Sequence, residues 1–582
     1  MLSSYQKFKV RRFIKQRLKS GFQLSEIQQW FSDHIIEPWH KLKSVRRFFI
    51  GWLGLISVLV IGLGAQVSFN RSIYFVEKPA RGGVYQEGVI GSFDNINPIF
   101  ASNEASRSAA GLIFNGLLQY DKVGRLVPEI ASSVRLNDDG TEYTIKLRDD
   151  VYWHDGKMLT AQDVVYTFTQ VADENVDSPL FSSWKGVTSK AIDDTTVVFT
   201  LPNSFPPFIY SLTTGILPEH ILKDVKPTEL RTTGFNQKPI GTGPFRFAAL
   251  SNDGQQLQLE ANKRYFKGRP LLDRFVLAGY DTKNDLQTAF SDGELTAASN
   301  IAPDFYRKFE KEDVITRNLG QYTSIFLFFN TTKPPYDDVQ VRNALTEASD
   351  PSKIKQETSA PFRKADGPLL KEQLGYVANK PPYAQPEKAL DTLKQAGWEK
   401  NSNGIIEKGG KQLEPVIYTQ KDTILEDFSK QLQKQWQQIG VSASIKALDA
   451  DRLQQKVIIP REFDTLLYGL EIGADPDQFA FWHSSQAGKN GINISNYSNK
   501  RVDESLEAGR TRQDIGLRKA KYAAFQKQWL ADAPAIPLFQ QSLLYVAKPD
   551  IITVQERTVG TISSRYQNVQ DWSVKQDKQL PK

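Results

Sequence analysis

The side chains best suited to chemistry concentrate in one short segment, DDVYWHDGKMLTAQDVVYTF, residues 149–168. Its Trp153-His154-Asp155-Gly156 corner contains a histidine, the side chain most often used for general acid–base catalysis. A lone histidine is seldom a catalytic site without partners arranged around it. We therefore expect His154 to have a structural role.

The other residues that could support catalysis are scattered along the chain. There is no cysteine, and the remaining histidines are His34, His40, His220 and His483. Neither an HExxH zinc motif nor a GxSxG nucleophile motif is present. A glycosidase with paired carboxylates stays open, because such carboxylates converge only in space. Apart from that alternative, we expect no enzyme activity, no metal site and no cofactor.

The elements around the His154 corner can be read from local patterns. Residues 143–147 alternate apolar and polar side chains, as a half-buried strand requires, and Asn137–Gly140 has the composition of a hairpin turn. Thr160 can cap a helix while Asp163 reaches back to the cap amide. The segment therefore predicts strand, corner and helix in close succession.

The positive charge of the chain is local. The 582 residues carry a net charge of +7, but residues 1–47 contain eleven lysines or arginines against three acids. The rest of the chain is close to neutral, which argues against nucleic-acid binding by a folded basic face. The length predicts two to four domains.

Residues 48–70 form a run of 23 residues without a charge. At about 1.5 Å rise per residue this run can cross a hydrocarbon core of about 30 Å, so we predict a transmembrane helix. The basic excess before it predicts that residues 1–47 are cytoplasmic and that the chain after Arg71 lies outside. Cleavage after Ala65 is the alternative to an uncleaved anchor. Without cysteine there is no lipid anchor, so the helix would replace one.

Residues 1–47 allow two interpretations. Apolar residues near helical spacing among basic ones favour an amphipathic helix on an anionic membrane surface; they are Phe8, Phe13, Ile14, Leu18, Leu24, Ile27, Trp30 and Phe31. A short helical hairpin whose charges only set topology fits equally well.

After a predicted linker, residues 71–83, strand and helix patterns alternate. Helices are predicted at 386–397 and 423–440, the second followed directly by a strand at 441–445, which is typical of an α/β fold. Further strands are predicted at 195–201, 326–330 and 463–470. The polar end of the chain, residues 569–582, is expected to fray.

A collinear series of motifs carries a resemblance that covers nearly all of residues 84–560. They are LVPEIASS at 126–133, the 149–168 segment, PIGTGPF at 239–245, NKRYFKGRPLLD at 262–273, FLFFNTTKPPYDDVQVRNAL at 326–345, DPDQFAFWHSS at 475–485, ISNYSNKRVDESL at 494–506 and APAIPLF at 533–539. The chain resembles the family 5 solute-binding proteins of ABC importers, the peptide and nickel receptor group.

Taken alone, most of these pieces indicate scaffolding. Gly241 and Gly243 are expected to allow a turn that Pro244 stiffens, and Arg342 to cap or pair near a helix start. Asp475 and Asp477 are more typical of turn residues than of ligands.

The resemblance implies a two-lobed α/β fold of the periplasmic-binding-protein type, with an extra subdomain in lobe one. Lobe one is expected at 84–320 and completed by 540–582, and lobe two at 321–539. Strands that cross between the lobes are expected near 321–325 and 536–541. Such a body would close around its ligand by hinge motion.

The resemblance also implies a set of ligand-facing residues: Asn97, Tyr120, Trp184, Tyr468, Gly469, Leu470, Glu471, Ile472, Asp475 and Trp482. In peptide-binding members an aspartate pairs with the ligand's amino terminus, and its position here is Ile472. Glu471 could substitute only through a bulge or a shift of register, because neighbours in a strand point to opposite faces.

The function implied is that of a membrane-anchored, extracellular or periplasmic receptor delivering an oligopeptide-like solute to an ABC permease and its ATPase, and we expect a monomer. Binding of the ligand backbone would resemble strand addition. Two alternatives remain: a sensor or adhesion module using the same fold without a permease, and an extracellular glycosidase or hydrolase.

Overall fold

The computed structural model describes residues 29, 32–33, 37–74, 76–121, 124–309, 314–358, 360–489 and 491–579. Most of the predicted cytoplasmic segment, including its amphipathic pattern, lies outside these residues. The chain divides into two compact units, Met1–Lys78 with Asp577–Lys582, and Pro79–Gln576.

The strands account for most of the architecture. In chain order they are β1 Val76–Pro79, β2 Val84–Ile90, β3 Leu118–Tyr120, β4 Leu126–Pro128, β5 Ala131–Leu136, β6 Glu142–Leu147, β7 Thr188–Asp193, β8 Thr196–Thr200, β9 Phe245–Leu250, β10 Gln256–Ala261, β11 Arg274–Tyr280, β12 Ala297–Ser299, β13 Ile315–Phe329, β14 Arg363–Lys364, β15 Glu399–Lys400, β16 Ile406–Lys408, β17 Lys411–Gln412, β18 Val416–Gln420, β19 Ser444–Leu448, β20 Thr465–Glu471, β21 Ala535–Ala547, β22 Thr558–Val559 and β23 Gln576–Gln579.

The α-helices alternate with these strands. They are α1 Glu37–Tyr74, α2 Glu104–Ile113, α3 Ala161–Ala172, α4 Phe181–Trp184, α5 Glu219–Leu222, α6 Lys283–Ser291, α7 Pro303–Phe309, α8 Val339–Glu347, α9 Pro351–Thr358, α10 Pro386–Gln395, α11 Ile424–Gln438, α12 Ala450–Leu453, α13 Phe479–Trp482, α14 Lys500–Thr511 and α15 Ile515–Asp532. The helices and strands predicted from periodicity at 386–397, 423–440, 195–201 and 463–470 are present with bounds shifted by a few residues, whereas the strand predicted at 326–330 is the last part of the much longer β13.

Helix α1 contains the uncharged run. Its segment Ile50–Val67 has a mean hydropathy of 2.0, and its side chains are exposed, so by length and composition it is a candidate membrane span. The helix runs beyond the predicted 48–70 at both ends, and β1 follows it. The residues predicted as a linker therefore contain the last turn of a helix and a strand, β1, that pairs with β23.

Most of the strands of Pro79–Gln576 belong to one mixed sheet with the order β19-β18-β20-β13-β21-β12-β2-β11-β10-β9. The two longest strands, β13 and β21, run through its centre and divide it. Ile315–Gly320 pairs with residues 542–547 of β21, Ser324–Phe328 pairs with residues 535–540, and the register shifts between Gly320 and Ser324. We call the part with β9–β12 the first half-sheet and the part with β18–β20 the second half-sheet.

Alternation along the two central strands explains how both faces of each half-sheet are buried. Ile325, Leu327 and Phe329 enter one apolar core, whereas Phe326 and Phe328 enter the core on the opposite face. β21 alternates in the same way on the first half-sheet. One apolar core contains residues 543, 545 and 547, and the core on the opposite face contains residues 544 and 546. A continuous apolar run is typical of a strand that is buried on both faces.

A smaller sheet with the order β5-β6-β8-β7 is inserted after β4, and we call it the inserted sheet. The predicted turn Asn137–Gly140 joins β5 to β6, and Gly140 donates its N–H to the Asn137 carbonyl at 3.1 Å. At the start of α3, Asp163 accepts from the backbone N–H of Thr160 at 2.9 Å, as predicted.

The expectation that residues 569–582 fray is wrong for their first part. Val569 and Trp572 are buried, and the Trp572 ring packs 5.3 Å from that of Tyr85. The segment is mostly polar in composition, but these two apolar side chains fix it to the core. Arg342, expected near a helix start, is buried on α8 and donates to the carbonyls of Asp532 and Ala533 at the end of α15.

Candidate functional site

A cavity of about 650 Å³ lies among α2, β3, α4 and the 561–570 segment. This volume is within the range of small-ligand sites, about 300–1,000 Å³. Its walls come from residues 98–102, α2, β3, α4, residues 210–215 and residues 561–570. Residues far apart in the chain therefore meet around one space.

Aromatic faces, hydroxyls and amides dominate the lining. The aromatic members are Phe114, Tyr120, Trp184, Tyr210, Tyr265 and Tyr566, and the amide and hydroxyl members include Gln119, Ser211, Thr213, Thr214, Thr561, Ser563, Gln567 and Gln570. Burial raises the pKa of Tyr210 to about 12, so its hydroxyl stays protonated at neutral pH. Such a surface offers stacking and hydrogen bonding to a ligand.

The charged groups of the lining already have partners. The Glu129 carboxylate lies 2.6 Å from the Lys267 ammonium and accepts from the Asn115 amide at 2.9 Å. Arg107 donates its Nε–H to the Ser102 carbonyl at 2.9 Å. The cavity therefore suits a ligand that hydrogen-bonds without requiring a strong opposite charge on this wall.

His154 hydrogen-bonds to the PIGTGPF loop, residues 239–245. Its Nδ1 accepts from the Gly241 N–H at 3.2 Å, so the other ring nitrogen carries the proton and donates to the Gly243 carbonyl at 3.1 Å. Burial lowers the pKa of His154 to about 4, which keeps the ring neutral. These contacts are structural, as the sequence predicted.

Gly241 and Gly243 have a different role from the one expected. A Cβ at Gly241 would lie 2.0 Å from the Ile113 carbonyl oxygen, and one at Gly243 would lie 2.6 Å from the same atom. Neither residue has a positive φ. The glycines are needed because the PIGTGPF loop approaches the end of α2 closely, rather than because of a special turn.

Of the predicted ligand-facing residues, Tyr120 and Trp184 line the cavity. Trp184 is almost fully buried and stacks on Phe168 with ring centroids 4.0 Å apart. Asn97 is buried and bonds to Asn236 at 3.0 Å. Trp482 is also buried, in the core of the second half-sheet, 5.0 Å from Trp529. Asn97 and Trp482 thus have the contacts of packing residues.

The other predicted residues lie on and after β20. Tyr468 and Leu470 are half-buried, Gly469 pairs with Ile325, and Glu471 is exposed at the strand end. Ile472 is buried in a small cluster with Tyr322, Ala365 and Leu370, and its N–H donates to the Tyr322 carbonyl at 2.8 Å. β20 pairs with β13 without a register shift up to Glu471, so it has no bulge that would turn Glu471 onto the face of Ile472.

Asp475 lies in a turn, and its carboxylate accepts from the Asp477 N–H at 2.7 Å. Its other oxygen is 3.4 Å from the Arg518 guanidinium. Burial raises the pKa of Asp475 from its ordinary value to about 6, because it outweighs the opposing charge of Arg518. Its charge also acts on Tyr120 and Tyr210 of the cavity wall and on Tyr143 of the inserted sheet.

Sequence reasoning missed Tyr210, Tyr322, Arg518 and the 561–570 segment. No local pattern marks them, because each is an ordinary residue of a helix, strand or loop that gains its position from long-range packing. Within the described residues, no group of three or more His, Asp or Glu side chains is arranged to hold a metal ion.

Comparison with known proteins gives a consistent result. Residues 125–491 match the sequence model of the bacterial extracellular solute-binding proteins, family 5. The oligopeptide-binding protein AppA of Bacillus subtilis is 28% identical over 510 residues, which are 83% of this chain and 91% of AppA.

Two solved structures show the same fold. NikZ from Campylobacter jejuni, in complex with Ni(L-His), has a TM-score of 0.68 and 28% identity, over 84% of this chain and 99% of that one. AppA from Bacillus subtilis, in complex with a nonapeptide, has a TM-score of 0.64 and 26% identity, over 85% of this chain and 99% of that one.

Proposed function

The chain belongs to the family 5 bacterial extracellular solute-binding proteins, and we propose that it captures an oligopeptide-like solute between two closing lobes. The lobes proposed are residues 84–320 with 540–582, and residues 321–539. The captured solute would be passed to an ABC permease and its ATPase subunit. The role is binding without chemical change.

The observation that carries this proposal is the cavity walled by Tyr120, Tyr210 and the 561–570 segment in a member of this family; all of its lining belongs to the first proposed lobe, so it would be that lobe's share of the binding site. The divided sheet supports it, because among the strands of the described residues β13 and β21 are the two that run from one half-sheet into the other, and their pairing shifts near Gly320. Hinges are typically a few residues that absorb a change in backbone angles.

The peptide class is favoured over a nickel complex by the chemistry of the lining. Amides, hydroxyls and aromatic rings match the backbone and side chains of a peptide. AppA, named for oligopeptide binding and solved with a nonapeptide, supports the same class.

A thermal-shift screen of the purified full chain with peptide, sugar and nickel–histidine pools tests the proposal. A ligand at about 100 times its Kd stabilises the folded state by about 2.7 kcal/mol, so the peptide pool should raise Tm by several degrees. Tyr210→Leu should reduce that rise, whereas Tyr280→Leu on β11, outside the cavity lining, should preserve it. No shift with any pool would contradict the proposal.

We also propose that α1 anchors the protein in the cell membrane, with residues 1–47 cytoplasmic and the binding body outside. The exposed apolar face of Ile50–Val67 and the preceding basic residues support this orientation. In cells, the protein should stay with membranes through alkaline carbonate washing and be released by detergent. A product beginning after Ala65 would instead show cleavage.

A further inference from the structure

Away from the cavity, loops of the inserted sheet contact α13, α14 and the residues beside these helices through a surface that we call the latch. On the side of the inserted sheet it consists of Asp138, Gly140, Ser204 and Phe205. On the opposite side it consists of Asp477, Phe479, Arg510, Thr511 and Gln513. None of these residues lines the cavity.

Two hydrogen bonds cross the latch. The Gln513 side-chain amide donates to the Asp138 carbonyl at 2.9 Å, and the Ser204 hydroxyl donates to the Thr511 carbonyl at 3.4 Å. Gly140, at φ +69°, is at the tip of the hairpin, and a Cβ there would lie 2.1 Å from the Gln513 amide nitrogen. The hairpin and the end of α14 are therefore in close contact.

Arg510 is the centre of the latch. Its Nε–H donates to the Asp477 carboxylate at 2.9 Å, and its guanidinium lies 4.1 Å from the centroid of the Phe479 ring. The ring of Phe205, from the opposite side, is 5.3 Å from the same guanidinium. Asp477 and Phe479, which lie on the same side of the latch as Arg510, fix the position of its guanidinium. The Phe205 ring therefore packs against a cation that is already oriented.

We propose that these contacts form a latch that stabilises the closed arrangement of the two half-sheets, separately from the ligand. The inference rests on the proposed function, because a latch matters only if the lobes open. Contacts of this kind are present only when the two surfaces meet, so they bias the equilibrium toward closure. The apparent affinity for a ligand then falls by the fraction of closed molecules lost.

The chain has no cysteine, so two introduced cysteines are the only labelling sites. Spin labels at Lys190→Cys on β7 and Lys500→Cys on α14, both exposed, report the distance between the inserted sheet and the second half-sheet. The full chain in detergent is measured by pulsed dipolar spectroscopy, without ligand and with the peptide pool.

The latch predicts that Arg510→Gln raises the ratio of open to closed molecules by about two- to thirty-fold, the range of a cation–π contact. Phe205→Leu, which keeps an apolar side chain in place, should act in the same direction. Arg264→Gln is the matched control, because Arg264 lies 4.1 Å from the Tyr152 ring, a cation–π contact outside the latch and within the first proposed lobe. It should leave the distances unchanged.

Identical distance distributions for Arg510→Gln, Phe205→Leu and the parent would overturn the latch. A thermal midpoint within a few degrees of the parent confirms that each variant is folded. Failure of the latch is distinguishable from failure of the proposed function: in the first case the peptide pool still stabilises the parent chain, and in the second it does not.

Discussion

At the scale of single residues, Asp475 shows most clearly what the fold adds to the sequence. The Asp-Pro-Asp pattern predicts a turn, and Asp475 does accept from the Asp477 N–H. Its partner Arg518 is 43 residues further along the chain and carries no motif. The turn was therefore predictable, whereas the burial of the carboxylate beside Arg518 was not.

The raised pKa of Asp475 predicts a pH dependence. Because the folded-state pKa, about 6, exceeds the ordinary 3.8, the folded state binds the proton more tightly. The contribution of Asp475 to the free energy of unfolding is fully present below about pH 4. It is lost as the pH rises through 6, and the loss is about 3 kcal/mol at most. Urea unfolding of Asp475→Asn from pH 4 to 7 should lack this decline.

Asp193→Asn provides a control of opposite sign. Hydrogen bonds from Thr195 and Thr196 lower the pKa of Asp193, so its contribution is lost as pH falls through that pKa. If Asp475→Asn unfolded with the same pH profile as the parent, the raised pKa would be wrong.

A second prediction at this scale concerns the buried ion pair of Glu87 and Arg565. Both side chains are fully buried, with N and O atoms 2.8 Å apart, and Glu87 also accepts from Tyr566. Arg565→Met leaves the carboxylate without its partner and should destabilise the protein by about 3–5 kcal/mol. Denaturant unfolding measures this loss.

The double variant Glu87→Gln, Arg565→Met is the matched control, because it removes both charges. It should be less destabilised than the sum of the single variants. Additive losses would contradict the pairing.

At the scale of elements, strands and helices with a clear period were predictable, and their assembly was not. Alternation identified β6, the apolar run identified β13, and the Pro386 and Gly397 signals bounded α10. The pairing of β13 with β21, more than 200 residues away, and the packing of 561–572 depend on contacts that no local pattern encodes. Most of the cavity wall was missed for the same reason, although Tyr120 and Trp184 were expected to face the ligand.

The PIGTGPF loop provides a prediction at this scale. Gly243→Ala places a Cβ 2.6 Å from the Ile113 carbonyl oxygen, which is backbone and cannot move aside cheaply. We expect a loss of about 1–3 kcal/mol, as in other overpacked sites. Gly234→Ala, where nothing lies within 4 Å, should cost less than half as much in the same thermal unfolding assay. Equal losses would contradict close approach as the reason for the glycine.

At the scale of the whole molecule, membership of a family of solute-binding proteins supports a substrate-binding role. We propose permease and ATPase partners, and copurification of these subunits from membranes tests the proposal. Recovery of a kinase or a cell-wall component in their place would favour the sensor or adhesion alternative.

The most direct test is mass spectrometry of the purified full chain after incubation with an oligopeptide pool. The proposed receptor should retain about one peptide per chain, and the peptide released by denaturation should have its original mass. Recovery of cleaved peptide, or no retained peptide at a large molar excess of the pool, would contradict binding without chemical change.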